Sequence, residues 1–195
     1  MRKKTHLLLS RYMLTQMEET LPIYKRLSFY AGSILPDCLP AFLVKRHTYT
    51  ASLDLLVRKL DHLEHRDCFG YRHVWSYLVN LGQVTHYLAD YFTYPHNECF
   101  PGGLLDHLSY EKDLIFAMQE YIEELEKHPP LIFPPAPRTI DDLIAHLHQL
   151  HQEYQRQAID CALDCQYIAR ICLEAFQALL LINTVSEPQQ HAVAA

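Results

Sequence analysis

Two residue pairs constrain the fold of this chain more than any other feature. They are His86 and Asp90 in the run His86-Tyr-Leu-Ala-Asp90, and His107 and Glu111 in the run His107-Leu-Ser-Tyr-Glu111. Each pair is spaced i,i+4, which on a helix stacks two side chains on one face, one turn apart. Each joins an imidazole to a carboxylate, so a helix bearing it can grip one cation from one side, as the helical His-Glu-x-x-His zinc motif does. The spacing therefore asks for two helices. Between them, Pro95, Pro101, Gly102 and Gly103 mark a loop that carries His96. Upstream lie His6, Asp37 and His47, which brings the metal-capable set to eight, more than one ion needs.

The rest of the sequence agrees with a helical scaffold. Glycine is scarce, at 5 of 195 residues, leucine is abundant and β-branched residues are few, a balance that favours helix over strand. Thr5 reads as the N-cap of a first helix running to about Glu19. A short helix from Pro22 to Tyr30 follows, closed by Gly32, and Pro36 and Pro40 bracket a loop holding Asp37. Leu53, Leu56, Val57, Leu60 and Leu63 show helical periodicity between Thr50 and His65. A long helix is expected from Tyr71 to Phe92, with Val74, Leu78, Leu81, Val84 and Leu88 inward. Gly82 in its middle costs up to about 1 kcal/mol relative to alanine and would let another helix or a metal approach closely. Asp106 opens a helix running to about Lys127.

The five prolines between Pro129 and Pro137 exclude helix and mark a rigid connection. Thr139-Ile-Asp-Asp then starts one or two further helices reaching about Asn183. No internal repeat and no strand-period alternation is visible. The expectation is one all-α domain, residues 1–195. Its metal-site part is 1–127, its connection 128–138, its C-terminal helices 139–184, and a frayed tail covers 185–195. Trp75 is expected in the core, and Tyr87, Tyr91, Phe92 and Tyr94 in the core or the wall of a pocket.

Composition excludes several classes. A net charge of −6 gives no electrostatic footprint for nucleic acid or an anionic membrane. Six cysteines without a Cys-x-x-Cys pair do not read as a zinc finger, and Cys161, Cys165 and Cys172 share a helical face as small core residues. Leu7-Leu8-Leu9 is too short for a signal-peptide core. No stretch of ~20 apolar residues suggests a transmembrane helix, and a reduced, cytoplasmic protein is the expectation.

The 13 histidines are the compositional outlier. If the loop folds back, His96, His107 and Glu111 make a site of two nitrogens and one carboxylate with room for water, a catalytic zinc pattern. His86 and Asp90, with His47 and Asp37, would serve a second ion. Asp90 has two oxygens and could bridge to a third ion held partly by His6. Clustered divalent ions stabilise the charge that develops in phosphodiester hydrolysis, and a loop carboxylate such as Asp37 could accept a proton from water.

The order and spacing of these residues resemble the bacterial zinc-dependent phospholipase C family, which includes the catalytic domain of clostridial alpha-toxin. The carrying residues are His6, Pro36-Asp37, Arg46-His47, His86-Tyr-Leu-Ala-Asp90, Pro95-His96 and His107-Leu-Ser-Tyr-Glu111. The resemblance implies an all-helical bundle shared with fungal single-strand nucleases and a site of two or three zinc ions. It also implies a phosphoric-ester substrate, phospholipids included. By the same resemblance Asp37, His47, His86 and Asp90 hold one zinc, and His96, His107 and Glu111 a second. His6 and the bridging Asp90 hold the third, and Asp37 acts as base or orients the water. In exported members the new N-terminal residue completes the third site; here Met1 stands five residues before His6. Choline-binding members carry aromatics where this chain has Cys38 and Val44, which argues against a quaternary-ammonium cage.

Two other readings compete. An HD-type phosphohydrolase would need an adjacent His-Asp dipeptide, and the chain has only the reversed Asp106-His107. A metal-stabilised helical protein without catalysis would need a site with no open coordination position. His62 and His65 read as a solvated helix face, and His146, His148 and His151 have ligand-like spacing without a carboxylate in register.

Overall fold

The computed structural model describes residues 1–17, 21–38, 48–64, 74–128 and 137–185. These residues form an all-α bundle, with no strand among them. The helices are α1 (Lys3–Thr15), α2 (Ile23–Ile34), α3 (Tyr49–Glu64), α4 (Val74–Tyr91), α5 (Leu104–Leu125), α6 (Ile140–Gln155) and α7 (Cys161–Val185). Two short 3-10 turns, Leu35–Asp37 and Tyr94–His96, follow α2 and α4.

Helix α4 is the axis of the bundle. Every residue from Leu81 to Thr93 is buried, the pattern of a helix covered on all sides. Its sequence is apolar enough for that position except at Gln83, Thr85, His86, Asp90 and Thr93, and buried polar groups need partners. Gln83 accepts from Lys59 at 2.6 Å. Thr85 and Thr93 turn back onto the helix itself, donating to Gly82 and Ala89 carbonyls at 2.8 and 3.0 Å. His86 and Asp90 remain for the site.

Close approach of α2 makes that burial possible. A Cβ on Gly82 would stand 2.4 Å from the Phe29 carbonyl oxygen, and one on Gly32 would stand 2.1 Å from the Val79 carbonyl oxygen. The two glycines thus let the backbones touch. Gly32 does not close α2, as its sequence suggested, but lies inside it; its task is contact, not termination.

Several expected boundaries shift. Thr5 is not a cap but a buried residue of the first turn of α1, which starts after Arg2 and ends at Thr15. Helix α5 starts at Leu104, with Gly103 at the N-cap and the Asp106 carboxylate accepting from the Gly103 N–H at 2.8 Å. The C-terminal segment is two helices. Thr139 caps α6, its hydroxyl accepting from the Asp142 N–H at 3.1 Å. Trp75 is 64% exposed rather than core, because it precedes the part of α4 that the bundle encloses.

One helix is long and apolar enough to cross a membrane by length and composition: Cys161–Ile182, in α7. The sequence reading passed over it because Asp164, Arg170 and Glu174 interrupt the run. Two thirds of its apolar window is buried inside the protein (67%), as in a core helix. Cys165 and Cys172 pack in that core, and Cys161 is half-buried at its start.

Candidate metal centre

Five elements converge at one end of the bundle. Helix α1 supplies His6, the turn after α2 supplies Asp37, and α4 supplies His86 and Asp90. The turn Tyr94–His96 and the first two turns of α5 supply His96, His107 and Glu111. Potential ligand atoms of His6, His86 and Asp90 lie within 4.8 Å of one another, and so do those of His96, His107 and Glu111. Seven of the eight sequence candidates thus gather in one place; His47 lies outside the described residues.

Asp90 joins the two groups. Its Oδ1 lies 3.3 Å from His6 Nε2, and its Oδ2 lies 3.3 Å from His86 Nε2 and 3.6 Å from His96 Nδ1. Glu111 Oε1 is 3.2 Å from His96 Nε2 and 3.1 Å from His107 Nε2. Asp37 stands at the margin, 3.7 Å from His86 Nε2 and partly exposed. His6 sits beside His86, its ring stacked on the other at 3.9 Å between centroids, and the two face different oxygens of Asp90.

Hydrogen bonding orients the donors. His86 Nδ1 donates to the Ser33 carbonyl at 2.8 Å, because a carbonyl can only accept. Nε2 therefore faces Asp90 and Asp37, and in a neutral ring it does so with its lone pair. His6 Nε2 is buried and aligned with no hydrogen-bond partner. Burial and the adjacent His86 push His6 down to about 3, so its ring is neutral near pH 7. A buried, neutral imidazole nitrogen without a hydrogen bond is undersatisfied in the protein alone. Asp90 Oδ1, 3.3 Å away, already meets the Met1 ammonium at 2.8 Å, and the donor set of His6, His86 and Asp90 fits a divalent ion with nitrogen and oxygen ligands.

The electrostatics of the second group point the same way. Burial works to raise the Glu111 pKa, but His96 and the Met1 ammonium outweigh it and hold the carboxyl below its usual range. His96 is pushed down, by desolvation and then by the same ammonium. The sequence reading did not foresee how Met1 would enter. Its nitrogen is buried 2.8 Å from Asp90 Oδ1, 2.9 Å from Glu111 Oε1 and 2.9 Å from His96 Nε2. Burial alone would lower its pKa, but the two carboxylates raise it. It occupies the point where Asp90 and Glu111 share a positive charge. The available signal was the length of one helical turn between Met1 and His6.

A second layer holds the His96 turn and was also missed. Asp164, buried at the start of α7, accepts from the Tyr94 N–H at 3.0 Å, from Tyr110 Oη at 3.0 Å and from Tyr154 Oη at 2.6 Å. Asn97 donates to the Tyr91 and Thr93 carbonyls at 3.1 Å each and accepts from His151 Nε2 at 2.9 Å. Of the three histidines of α6, His151 thus supports the site from behind, and His146 pairs with Glu174 at 2.6 Å. Asp106 turns away from His107 to cap α5, so the reversed pair makes no shared site.

A cavity of about 540 Å³ opens beside His96 and His107, with Thr48, Asn97, Glu98, Phe100 and Leu104 among its walls. Tyr87, Tyr91 and Phe92 are core and do not line it.

An all-helical bundle that gathers two histidine–carboxylate groups around one aspartate defines a helical protein with a candidate metal centre. The chain belongs to the zinc dependent phospholipase C family, whose pattern matches residues 5–161 and so spans every candidate ligand. No curated protein and no solved structure matches the chain.

Proposed function

We propose that this protein is a phospholipase C-type hydrolase that cleaves phosphoric diesters at a centre of two or three zinc ions. The observation that carries the reading is Asp90, whose Oδ1 faces His6 and whose Oδ2 faces both His86 of the same group and His96 of the other. His6, His86 and Asp90 would hold one ion, and His96, His107 and Glu111 another. His47 is assigned to the first group by family resemblance alone. A bound divalent ion supplies Lewis acidity, stabilising charge on phosphoryl oxygens and lowering the pKa of water bound to it.

The chain's own residues do the rest. Ser33 fixes the tautomer of His86 through the Nδ1–H bond, and Asn97 and Asp164 fix the turn that carries His96. Asp37, at the open margin, accepts a proton from the attacking water. The cavity beside His107 admits the substrate, and its walls offer Thr48 and Asn97 as neutral polar contacts. Without an aromatic at position 38, a choline headgroup gains no cation–π contact there.

The test is hydrolysis by zinc-loaded protein of phospholipids, aryl phosphodiesters and single-stranded nucleic acid, with metal counted by elemental analysis. Release of diacylglycerol from phospholipid, abolished by chelation and by Asp90→Asn, is the expected result. Failure on every diester by protein containing its full zinc complement overturns catalysis and leaves a metal-stabilised helical protein.

A further inference from the structure

Helix α6 carries a polar stripe that the metal centre does not account for. His148, His151, Gln152 and Gln155 recur at spacings of three and four, so they share one face. Leu143, Leu147 and Leu150 form the separate face that enters the core. A polar stripe on a surface helix is ordinarily a solvated face. This one is a wall of a cavity of about 250 Å³, bounded on its other sides by Tyr49 and Thr50 at the start of α3 and by the segment that follows the His96 turn. The cavity adjoins the one beside His107: Thr48, His96, Asn97 and Glu98 line both, so a phosphoryl group at His96 has an opening on each side.

The two cavities differ in chemistry. The first has Pro95, Phe100 and Leu104 among its own walls. Among the described residues, the second has only hydrogen-bonding side chains of its own, those of Tyr49, Thr50 and the α6 stripe. Its walls are also fixed in place. The Tyr49 ring stacks on His151 at 3.9 Å and 6°, meets Tyr91 edge-on at 5.2 Å, and hydrogen-bonds through its hydroxyl to His148 Nδ1. His151 in turn donates to Asn97, the neighbour of His96, at 2.9 Å. The polar walls are thereby tied to the turn that carries a candidate ligand, and little side-chain freedom is left to lose on binding. Bonding capacity remains: among the described residues, no protein group hydrogen-bonds His148 Nε2 or the Gln152 amide, and Gln155 reaches only Asn97, at 3.5 Å. The one carboxylate in the lining is Glu98, which accepts from Thr50 at 3.1 Å. It can accept from a further hydroxyl and repels an anion. Donors and acceptors around so small a space suit hydroxyl groups, which give and take hydrogen bonds alike. An apolar occupant would strip these groups of water without replacing it. The volume equals roughly eight waters at ~30 Å³ each, enough for an alcohol of the size of glycerol or a sugar.

We propose that this second cavity is a subsite for a small polyhydroxyl alcohol esterified to the phosphate, held by Tyr49, Glu98, His148, Gln152 and Gln155 while the phosphoryl group lies at the metal centre. The inference rests on the diesterase reading for the position of the phosphate, but the preference for the alcohol is measurable without turnover.

Calorimetric titration of zinc-loaded protein with glycerol 3-phosphate and with methyl phosphate tests it, because the two share the phosphate and differ in the hydroxyls. Wild-type protein is expected to bind glycerol 3-phosphate about tenfold more tightly, the worth of one or two net hydrogen bonds. Tyr49→Phe with Gln152→Leu should bring the two affinities within about twofold of each other. The phenyl ring keeps the stack on His151, position 152 is exposed, and an unchanged zinc content shows that the loss does not come from the metal centre. As inhibitors of aryl diester hydrolysis the two phosphates should rank in the same order. Equal affinity of the wild type for both, or a preference that survives the double variant, overturns the subsite. Tighter binding of ethanolamine phosphate than of glycerol 3-phosphate, lost in Glu98→Gln, overturns it too, since the cavity would then select an ammonium group. Protein that shows the preference but cleaves no diester keeps the subsite and removes the catalytic reading; protein that cleaves aryl diesters but binds both phosphates alike does the reverse.

Discussion

The imidazole rings of His6 and His86 lie face to face, 3.9 Å between centroids and 16° between planes. They belong to α1 and α4, and nothing in the packing of two core helices requires a pair of imidazoles at their crossing. Both rings turn Nε2 toward Asp90. Stacking accounts for the shape of the contact, and a shared cation would account for its chemistry. His6→Phe separates the two. A phenyl ring keeps the volume and the stack but offers no lone pair. The variant is expected to fold, to bind less zinc per chain than wild type, and to keep the ion of the His96 group. Elemental analysis after gel filtration checks this; an unchanged metal count would remove His6 from the ligand set.

Acid should unfold the metal-free protein for a definable reason. Desolvation, and after it His86, holds His6 at about 3, and desolvation holds His151 at about 4, both below the ordinary value of 6.5. The unfolded chain then binds more protons than the native one between pH 6.5 and these values. Stability is present above about pH 6.5 and is lost as pH falls through that window. Asp164 works the other way over part of it, because burial raises its carboxyl to about 6 and favours the protonated native form as pH falls. The variants isolate the histidine effect. Urea melts in chelator between pH 7 and pH 4 should show a shallower loss for His6→Phe than for wild type. Parallel curves would mean that His6 does not titrate on unfolding.

Much of this site could be read along the chain, because i,i+4 pairs on helices place their own side chains. His86 with Asp90 and His107 with Glu111 needed no knowledge of the fold beyond two helices. What could not be read was contact between elements. Gly82 signalled a close approach, but only the coordinates show that the partner is the backbone of α2 at Phe29. The periodicity of α4 was legible, yet Trp75 was assigned to the core because sequence cannot show where the enclosing helices stop. The spacing of Met1 from His6 could be read, but not where its nitrogen lies, because that placement depends on how α1 meets α5. Asp164 carried no signal at all, since its three partners come from Tyr94, Tyr110 and Tyr154 on separate elements.

That aspartate supports a prediction about positioning. Asp164→Asn keeps the shape but leaves one oxygen to accept where two accepted before. At least one of the three donors is then buried without a partner, which costs about 1–3 kcal/mol. The Tyr94–His96 turn loosens, and with it one ligand of the His96 group. Zinc titration should show weakened binding at that group with the His6 group unaffected, and thermal melts should show the lower stability. Equal weakening at both groups would indicate general damage to the fold rather than a role in holding His96.

The contact at Gly82 gives the sharpest test of how the fold builds the site. Alanine is the better helix former by up to about 1 kcal/mol, so propensity alone makes Gly82→Ala stabilising. The added methyl, however, would stand 2.4 Å from the Phe29 carbonyl oxygen and 2.7 Å from the Ser33 nitrogen, both backbone atoms that cannot rotate away. Relief requires α2 and α4 to separate, and overpacking of this kind costs roughly 1–3 kcal/mol or more. The separation also lengthens the bond from His86 to the Ser33 carbonyl, one turn further along the same contact. The expected outcome is a net loss of stability together with weaker zinc binding, the second because His86 loses the partner that fixes its tautomer. A folded variant with raised stability and full zinc content would show that the helices do not need to touch where they do.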